Sequence, residues 1–193
     1  MQAEVTVALG QEDDALEVPW QSEDGCIRYY DLRRNPELIF DVTEATGNPA
    51  LVDLLVNLNS EKSNFQSVKC DTWLSSEMDE EDEGFGATWK YGSYIDAVFL
   101  DIGLRSDYEA CFAFGESLAN LLERAPEMPA SAEVVLRRCY FHDEQSPDGN
   151  DGFALTLYLL GYGDDPEEAK QRWMIATRLM QAAVQQISAA AAK

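Results

Sequence analysis

A cysteine and a histidine lie close enough in this sequence to suggest a nucleophilic pair, because Cys139 precedes the single histidine, His142, by three residues. Both belong to a run, Ala132–His142, that is typical of a β-strand, where residues an odd number apart point to opposite faces. We therefore do not expect the thiol and the imidazole to meet within the strand. The four cysteines are scattered and show no C-x-x-C spacing, so a zinc site is not expected either. We expect no catalytic residue, metal or cofactor, and the sequence leaves open whether another cysteine approaches His142 in space.

Two further segments match known motifs only in part. Residues 115–119 follow the nucleophile-elbow pattern with alanine in the last position, but they lie inside a predicted helix, and the motif needs a sharp strand-to-helix turn. The loop from Ser146 to Gly152 has the composition of a calcium loop. Counting from Asp148, however, puts Leu159 where the bidentate glutamate should be. We interpret this loop as turn chemistry, with weak divalent-cation binding by the acidic loops as an alternative.

The acidic residues are concentrated in four short segments. The net charge is −22, and residues 1–25, 71–83, 142–151 and 164–168 hold 22 of the 36 acids and none of the 14 bases. The rest of the chain is therefore neutral. Two of the segments are predicted hairpin loops, whose acids are Glu77, Asp79, Glu80, Glu81, Asp82, Glu83, Asp143, Glu144, Asp148 and Asp151.

These acidic loops allow two interpretations. Charged loops of this kind are usually solvated and discourage edge-to-edge association. Alternatively, they contact a basic partner, and if both hairpins run the same way they form one negative rim. The charge disfavours nucleic acid and anionic membranes as partners, because both are negative. A DNA mimic would need acids spaced along a face, whereas these are bunched.

The periodicity of the chain predicts an α+β fold. Its mostly antiparallel sheet carries about three helices, a helix–hairpin unit occurs twice, and a long amphipathic helix ends the chain. Helix starts are predicted at Asn48-Pro49, at the capping-box spacing of Ser106–Glu109, and at Asp164 or Asp165. The predicted strands are Cys26–Leu32, Leu38–Val42, Phe65–Ser75, Ala87–Ile102, Ala132–His142 and Gly152–Tyr162.

The chain divides into an acidic, loosely ordered N-terminal arm, residues 1–24, and a single α+β domain, residues 25–193. Within the arm, Glu4–Leu9 alternates as a strand would. The N-terminus lacks the pattern of a secretory leader, and the longest apolar run, near Ala154–Leu160, is too short to cross a bilayer. We therefore expect a cytoplasmic protein with reduced thiols.

Aromatic residues on the predicted strands form the second candidate constellation. Tryptophan, tyrosine and arginine anchor many protein interfaces, so a half-polar aromatic sheet face would suit homodimerisation or peptide binding. The alternative is that these side chains pack beneath the helices. The candidate binding residues are Trp73, Trp89, Tyr91, Arg138, Tyr158 and Tyr162.

Taken together, these features favour a non-enzymatic protein-interaction module, chaperone-like or regulatory. Its expected partner is another protein, for which the charge favours a basic one, or a second copy that makes a homodimer. The alternatives are a small-molecule-binding sensor domain and an enzyme that uses carboxylates. The layout of helices and hairpins, with the low pI, resembles that of the acidic secretion chaperones and related bacterial regulators. The resemblance is one of layout, without a shared motif.

Overall fold

Six strands form a single sheet in the computed structural model, which describes residues 1–10, 15–22, 25, 29–80, 82–143 and 146–191. They are β1 (Gln2–Ala8), β2 (Leu16–Val18), β3 (Phe65–Ser75), β4 (Trp89–Phe99), β5 (Ala130–Asp143) and β6 (Ser146–Gly163). The order across the sheet is β1–β5–β6–β4–β3, and β2 pairs with β5 further along the same edge as β1. β1 and β2 run parallel to β5, and all other neighbours are antiparallel.

The α-helices of the described residues are α1 (Pro49–Leu58), α2 (Ile102–Arg105), α3 (Tyr108–Glu123) and α4 (Pro166–Ala191). α1, α3 and α4 share one core with the sheet, and α2 is a single turn between β4 and α3. The predicted α+β class is confirmed, because the helices pack on a mostly antiparallel sheet. The unit of helix and hairpin occurs twice, as α1–β3–β4 and α3–β5–β6, before α4. Among these helices, none combines the length and apolar character needed to cross a bilayer.

Polar residues hold two of the predicted helix starts. Asp165 Oδ1 accepts the N–H of Glu168 at 2.9 Å, as expected for an N-cap of α4. At α3 the cap is Asp107, whose Oδ1 accepts the N–H of Ala110 at 3.1 Å, and not Ser106 of the predicted capping box. The start of α1 at Pro49 is as predicted.

α4 packs directly on β6 and carries the centre of the core. Its apolar residues recur every three or four positions, so one stripe faces the sheet, and Trp173 in that stripe is fully buried. The indole N–H of Trp173 donates to Ser93 Oγ at 2.9 Å. The helix backbone approaches so closely that a Cβ at Gly161 would lie 2.1 Å from the backbone nitrogen of Trp173. The helix can therefore take this position only because β6 has glycine there.

The two strands predicted before α1 are wrong in the described residues. Tyr29–Leu32 is not a strand, and the first three residues of the predicted Cys26–Leu32 strand lie outside the described part. The predicted Leu38–Val42 strand overlaps a 3₁₀ helix, Pro36–Asp41. The physical reason is the spacing of buried residues: Ile39 and Val42 are buried while Phe40 is 86% exposed, which fits three residues per turn and not alternation.

Residues of the expected N-terminal arm contribute to the sheet. β1 pairs with Ser131–Arg137 of β5, and β2 pairs with Cys139–Phe141. Val5 of β1 reaches α3, where a Cβ on Gly115 would lie 3.0 Å from its Cγ2. Gly115 is thus a packing residue between α3 and β1, and the partial nucleophile-elbow motif lies within α3.

The contact between α4 and β6 generates a stability prediction. We expect Gly161→Ala to lower the free energy of unfolding by about 3 kcal/mol, because the added methyl group overlaps the backbone of α4 and the helix must shift. Urea unfolding followed by circular dichroism measures the change. Gly84→Ala is the matched control, since nothing lies within 4 Å of a Cβ at that position. Equal stability of the two variants would contradict the contact.

Candidate functional site

The face of the sheet that α1, α3 and α4 leave uncovered carries the candidate site, and we call it the open face. Strand alternation and register place the relevant side chains together: Tyr94 pairs with Asp71 and Tyr158, and Asp96 pairs with Lys69 and Thr156. The side chains of the open face include Lys69, Asp71, Trp73, Tyr94, Asp96, Glu133, Arg137, Thr156, Tyr158 and Leu160.

Three aromatic rings cross this face from β3 to β6. The ring centroids of Trp73 and Tyr94 are 6.5 Å apart, and those of Tyr94 and Tyr158 are 5.9 Å apart. All three side chains are half-buried, so part of each ring meets solvent. Gly92 makes room for the row, because a Cβ there would lie 2.5 Å from the indole of Trp73. The row is a continuous aromatic surface that no helix of the described chain covers.

Other segments of the chain cover the two ends of the open face. At one end, Trp20 and Tyr29 pack with Val68 and Val98 in a small apolar cluster that also contains residues of β2, β5 and β6. At the other end, Phe85 stacks on Tyr162 with ring centroids 4.1 Å apart. Between these two covered ends, the described chain leaves the aromatic row and the β1 side of the open face accessible.

The six candidate binding residues divide between the two faces. Trp73, Tyr158 and Tyr162 lie on the open face, with Tyr162 buried beneath Phe85. Trp89, Tyr91 and Arg138 lie on the helix-bearing face by strand alternation. Tyr91 packs on Trp173 there, at 4.7 Å between ring centroids. The structure therefore does not bring the six together as one surface.

Eight of the ten open-face residues named above are not among the candidates. They are Lys69, Asp71, Tyr94, Asp96, Glu133, Arg137, Thr156 and Leu160. The signal for Tyr94 was present in the sequence, because it lies three residues after Tyr91 on the same strand and so must point to the opposite face. The charged residues carried no such signal, since their proximity depends on the pairing of distant strands.

Asp96 is a buried carboxyl group at the centre of the open face, with 7% of its surface exposed. Burial raises its pKa above the usual range of an aspartate. A hydrogen bond of 2.5 Å from Thr156 Oγ1 and the charges of Arg137 and Lys69 oppose that shift without cancelling it. Burial, with the nearby charges of Asp96 and Asp71, also raises the pKa of Tyr94. The centre of the face thus holds a carboxyl group that folding makes harder to ionise.

Two cations of the open face lie over aromatic rings, Lys69 over Trp20 and Arg137 over Tyr158. Lys69 Nζ is 4.4 Å from the ring centroid of Trp20, a distance typical of a cation–π contact. Arg137 donates through one terminal nitrogen to the hydroxyl oxygen of Tyr158 at 3.0 Å. Its buried Nε has no hydrogen-bond partner within the described part of the chain. Arg137 therefore fixes Tyr158 in place.

The pKa of Asp82 shifts in the opposite direction to that of Asp96. It accepts hydrogen bonds from Lys90 Nζ at 2.5 Å, from Tyr162 Oη at 2.7 Å and from the N–H of Asp79 at 3.0 Å. Burial disfavours its charge, but these bonds and the charge of Lys90 outweigh burial and lower the pKa of Asp82. The same contacts with Asp82 and Asp79 raise the pKa of Lys90 against the effect of burial. This buried ion pair holds the 82–85 turn against the open face.

The predicted negative rim is wrong, because the two hairpin turns lie at opposite ends of the sheet. Trp89 pairs with Gly163, so the turn between β3 and β4 is beside the end of β6, whereas β6 begins at the other turn. The first turn lies instead near the acidic start of α4, where Thr88 Oγ1 donates to the carbonyl oxygen of Asp164 at 2.9 Å.

The acids of the two loops differ in their surroundings. Glu77, Asp79 and Glu80 are exposed, Asp82 is buried with Lys90, and Asp151 is exposed on β6. Glu81 and Glu144 lie outside the described residues, as do the side chains of Glu83, Asp143 and Asp148. The acidic loops are therefore not one continuous surface.

The cysteines and the histidine do not form a reactive site among the described residues. Burial raises the pKa of the Cys70 and Cys139 thiols to about 12 and that of Cys111 to about 11. A thiol with a raised pKa is a poor nucleophile at neutral pH. His142 Nε2 lies 3.0 Å from Glu17 Oε2 at the end of β5, and no group of three metal-ligating side chains occurs in the part that the structure describes. Cys26 lies outside that part.

No protein-family model, curated protein or solved structure matches this chain.

The contrast between Asp96 and Asp82 gives a prediction about pH. A raised folded-state pKa means that stability is lost as pH rises from the ordinary aspartate value of about 3.9 towards the folded-state value. The Asp96 carboxyl group therefore lowers the stability of the fold at pH 7. We expect Asp96→Asn to be more stable than the wild type at pH 7, and the two to converge below about pH 4. Urea unfolding at several pH values measures this. A less stable variant at pH 7 would show that Asp96 is held in its charged form by Lys69 and Arg137.

Asp82→Asn should change stability in the other direction. A lowered folded-state pKa contributes stability above the unfolded value, and this stability is lost as pH falls through the folded one. Removing the charge leaves Lys90 with the exposed carboxylate of Asp79 in place of its buried partner, so we expect a loss of about 3 kcal/mol at pH 7, the lower end for a broken buried pair. The difference should shrink below about pH 4. The same pH series measures both variants, and a pH-independent loss would contradict the ion pair.

Proposed function

We propose that this protein is a non-enzymatic binding module that recognises a segment of another protein on the accessible middle of its open face. The observation that carries the proposal is the aromatic row of Trp73, Tyr94 and Tyr158, which crosses three strands and is left uncovered by every helix of the described chain. Tryptophan and tyrosine supply large contact areas at a small loss of side-chain entropy, and they dominate the energetics of many interfaces.

The rigidity of the row supports this role. Trp73 rests against Gly92, Arg137 holds the hydroxyl of Tyr158, and Tyr94 lies between the two rings. Side chains fixed before binding lose little freedom when a partner arrives, which favours affinity. The chain also keeps the buried carboxyl group of Asp96 beneath this surface, although its burial disfavours folding at neutral pH. Ionisable groups whose pKa is shifted by burial are common at functional sites.

The net charge of the chain favours a different protein, and not a second copy of this chain, as the partner. The chain carries a net charge of −22, so two copies brought face to face would repel each other. The same charge would speed the approach of a basic partner.

Selection of binding peptides tests the proposal and does not require the identity of the partner. We expect a displayed library of random peptides, each of about twelve residues, to yield binders of the wild type, a length that spans a sheet of this width. Trp73→Ala and Tyr94→Ala should each weaken these binders by about 10-fold or more, because each removes an anchor ring. Fluorescence anisotropy with the selected peptides measures the change.

The control is Phe40→Ala, which removes an aromatic ring that is 86% exposed on the 3₁₀ helix before α1. Its affinity should equal that of the wild type. Thermal unfolding of each variant verifies that the fold is retained. Failure to enrich any peptide, or equal binding by the wild type and Trp73→Ala, would overturn the proposal.

A further inference from the structure

A groove lies on the open face between the β1 edge of the sheet and the 82–85 turn, and we call it the β1 groove. It has a volume of about 440 Å³ and is open to solvent on one side. Its floor is formed by Tyr158 and Leu160 of β6, and Phe85 of the turn lines one end. Glu133 of β5 and Glu4 of β1 line the side of the groove nearest the sheet edge. Glu133 is the cross-strand neighbour of Tyr158, and Glu4 is the neighbour of Glu133, so the three side chains lie in one row on the open face.

The carboxylates of the β1 groove differ in how their charge is balanced. Asp82, which also lines the groove, is already paired with Lys90. Glu133 accepts a hydrogen bond of 2.6 Å from Thr6 Oγ1, a neutral donor. Within the described part of the chain, neither Glu4 nor Glu133 is in an ion pair. Both carboxylates therefore lack an ion-pair partner among the described residues, and the guanidinium of Arg137 lies nearby, 5.9 Å from the ring centroid of Tyr158.

The aromatic walls of the groove are held in position by the protein. Phe85 stacks on Tyr162 with an angle of 11° between the ring planes, and the hydroxyl of Tyr162 is bonded to Asp82. Tyr158 is held by the hydrogen bond from Arg137. Fixed aromatic rings combined with carboxylates are the arrangement that binds a cationic side chain, because the ring faces and the carboxylates both attract positive charge.

We propose that the β1 groove binds a lysine or arginine side chain of a basic segment in the partner protein. This inference rests on the proposed function and adds the chemistry of the partner. The aromatic row would contact the apolar part of the segment, and the adjoining groove would receive its charged side chain. A second copy of the chain is a poor occupant, since it would bring its own Glu4 and Glu133 to the same place.

A pair of synthetic peptides tests the inference. The first alternates lysine and alanine over about twelve residues, and the second has glutamine at every lysine position. We expect the wild type to bind the lysine peptide and not the glutamine peptide, measured by fluorescence anisotropy at about 150 mM salt, where long-range attraction is largely screened. Glu4→Gln/Glu133→Gln should weaken binding of the lysine peptide by about 10-fold, and Tyr158→Leu by about 3-fold.

The matched control is Asp53→Asn/Glu116→Gln, which removes the same charge from positions on α1 and α3, on the other side of the sheet. It should bind the lysine peptide within about 2-fold of the wild type. Equal weakening in the two double variants would overturn the inference, because binding would then follow net charge and not the groove. Absence of binding by the lysine peptide would also overturn it.

The two proposals fail in different ways. One outcome is that the peptides selected from the random library need Trp73 for binding, carry no basic residues and bind Glu4→Gln/Glu133→Gln with unchanged affinity. In that case the inference about the β1 groove fails and the binding function stands. If no selected peptide depends on Trp73 or Tyr94, the function itself fails. Glutamine keeps the shape of Glu133 and can still accept the hydrogen bond from Thr6, so loss of folding is not expected to obscure the result.

Discussion

The close contact between α4 and β6 is the constraint on which the rest of the structure depends. Two glycines of β6 let the helix backbone touch the strand: a Cβ at Gly163 would lie 2.5 Å from the nitrogen of Ala169, and one at Gly161 would overlap Trp173. The buried indole then fills the centre of the core and donates its one N–H to Ser93. Because α1 and α3 pack beside α4 in the same layer, all the long helices of the described chain lie on one face of the sheet.

A two-layer arrangement of this kind leaves the second face of the sheet without a partner layer. In the described chain, short segments and not another helix cover the two ends of this second face. Trp20 and Tyr29 cover one end of the open face, and the 82–85 turn covers the other. The buried charged groups also differ between the covered end and the accessible middle. The ion pair of Asp82 and Lys90 stabilises the covered end, whereas burial of Asp96 in the accessible middle opposes its ionisation.

Much of the fold could be predicted from local patterns, because strand alternation and helix periodicity are properties of neighbouring residues. The strand of Phe65–Ser75, the start of α4 near Asp165 and the repeated unit of helix and hairpin are all of this kind. The 3₁₀ helix over Pro36–Asp41 looks like a strand in the sequence, because a short run of apolar residues does not by itself reveal its period. The position of β1 depends on pairing with β5, more than a hundred residues away, which no local pattern records.

The candidate site was predictable only in part for a related reason. Alternation assigns each side chain to one of two sides of its own strand, but it does not say which side the helices cover. Trp73 and Tyr91 were therefore grouped together, although one lies on the open face and the other beneath α4. Asp96 and Lys69 could not be paired from sequence, because their proximity follows from the register between β3 and β4 and from a bulge after Ser67.

The distribution of charge also gains a physical meaning from the fold. The acids bunched in loops give the molecule a negative field that extends beyond its surface, and such a field raises encounter rates without selecting a particular partner. Selectivity requires groups that a partner must match at short range, and on the proposed function these would be the fixed aromatic rings beside the carboxylates of Glu4 and Glu133. On the proposed function, the loops attract a basic partner from any direction, and the aromatic row together with the β1 groove distinguishes it from other basic proteins.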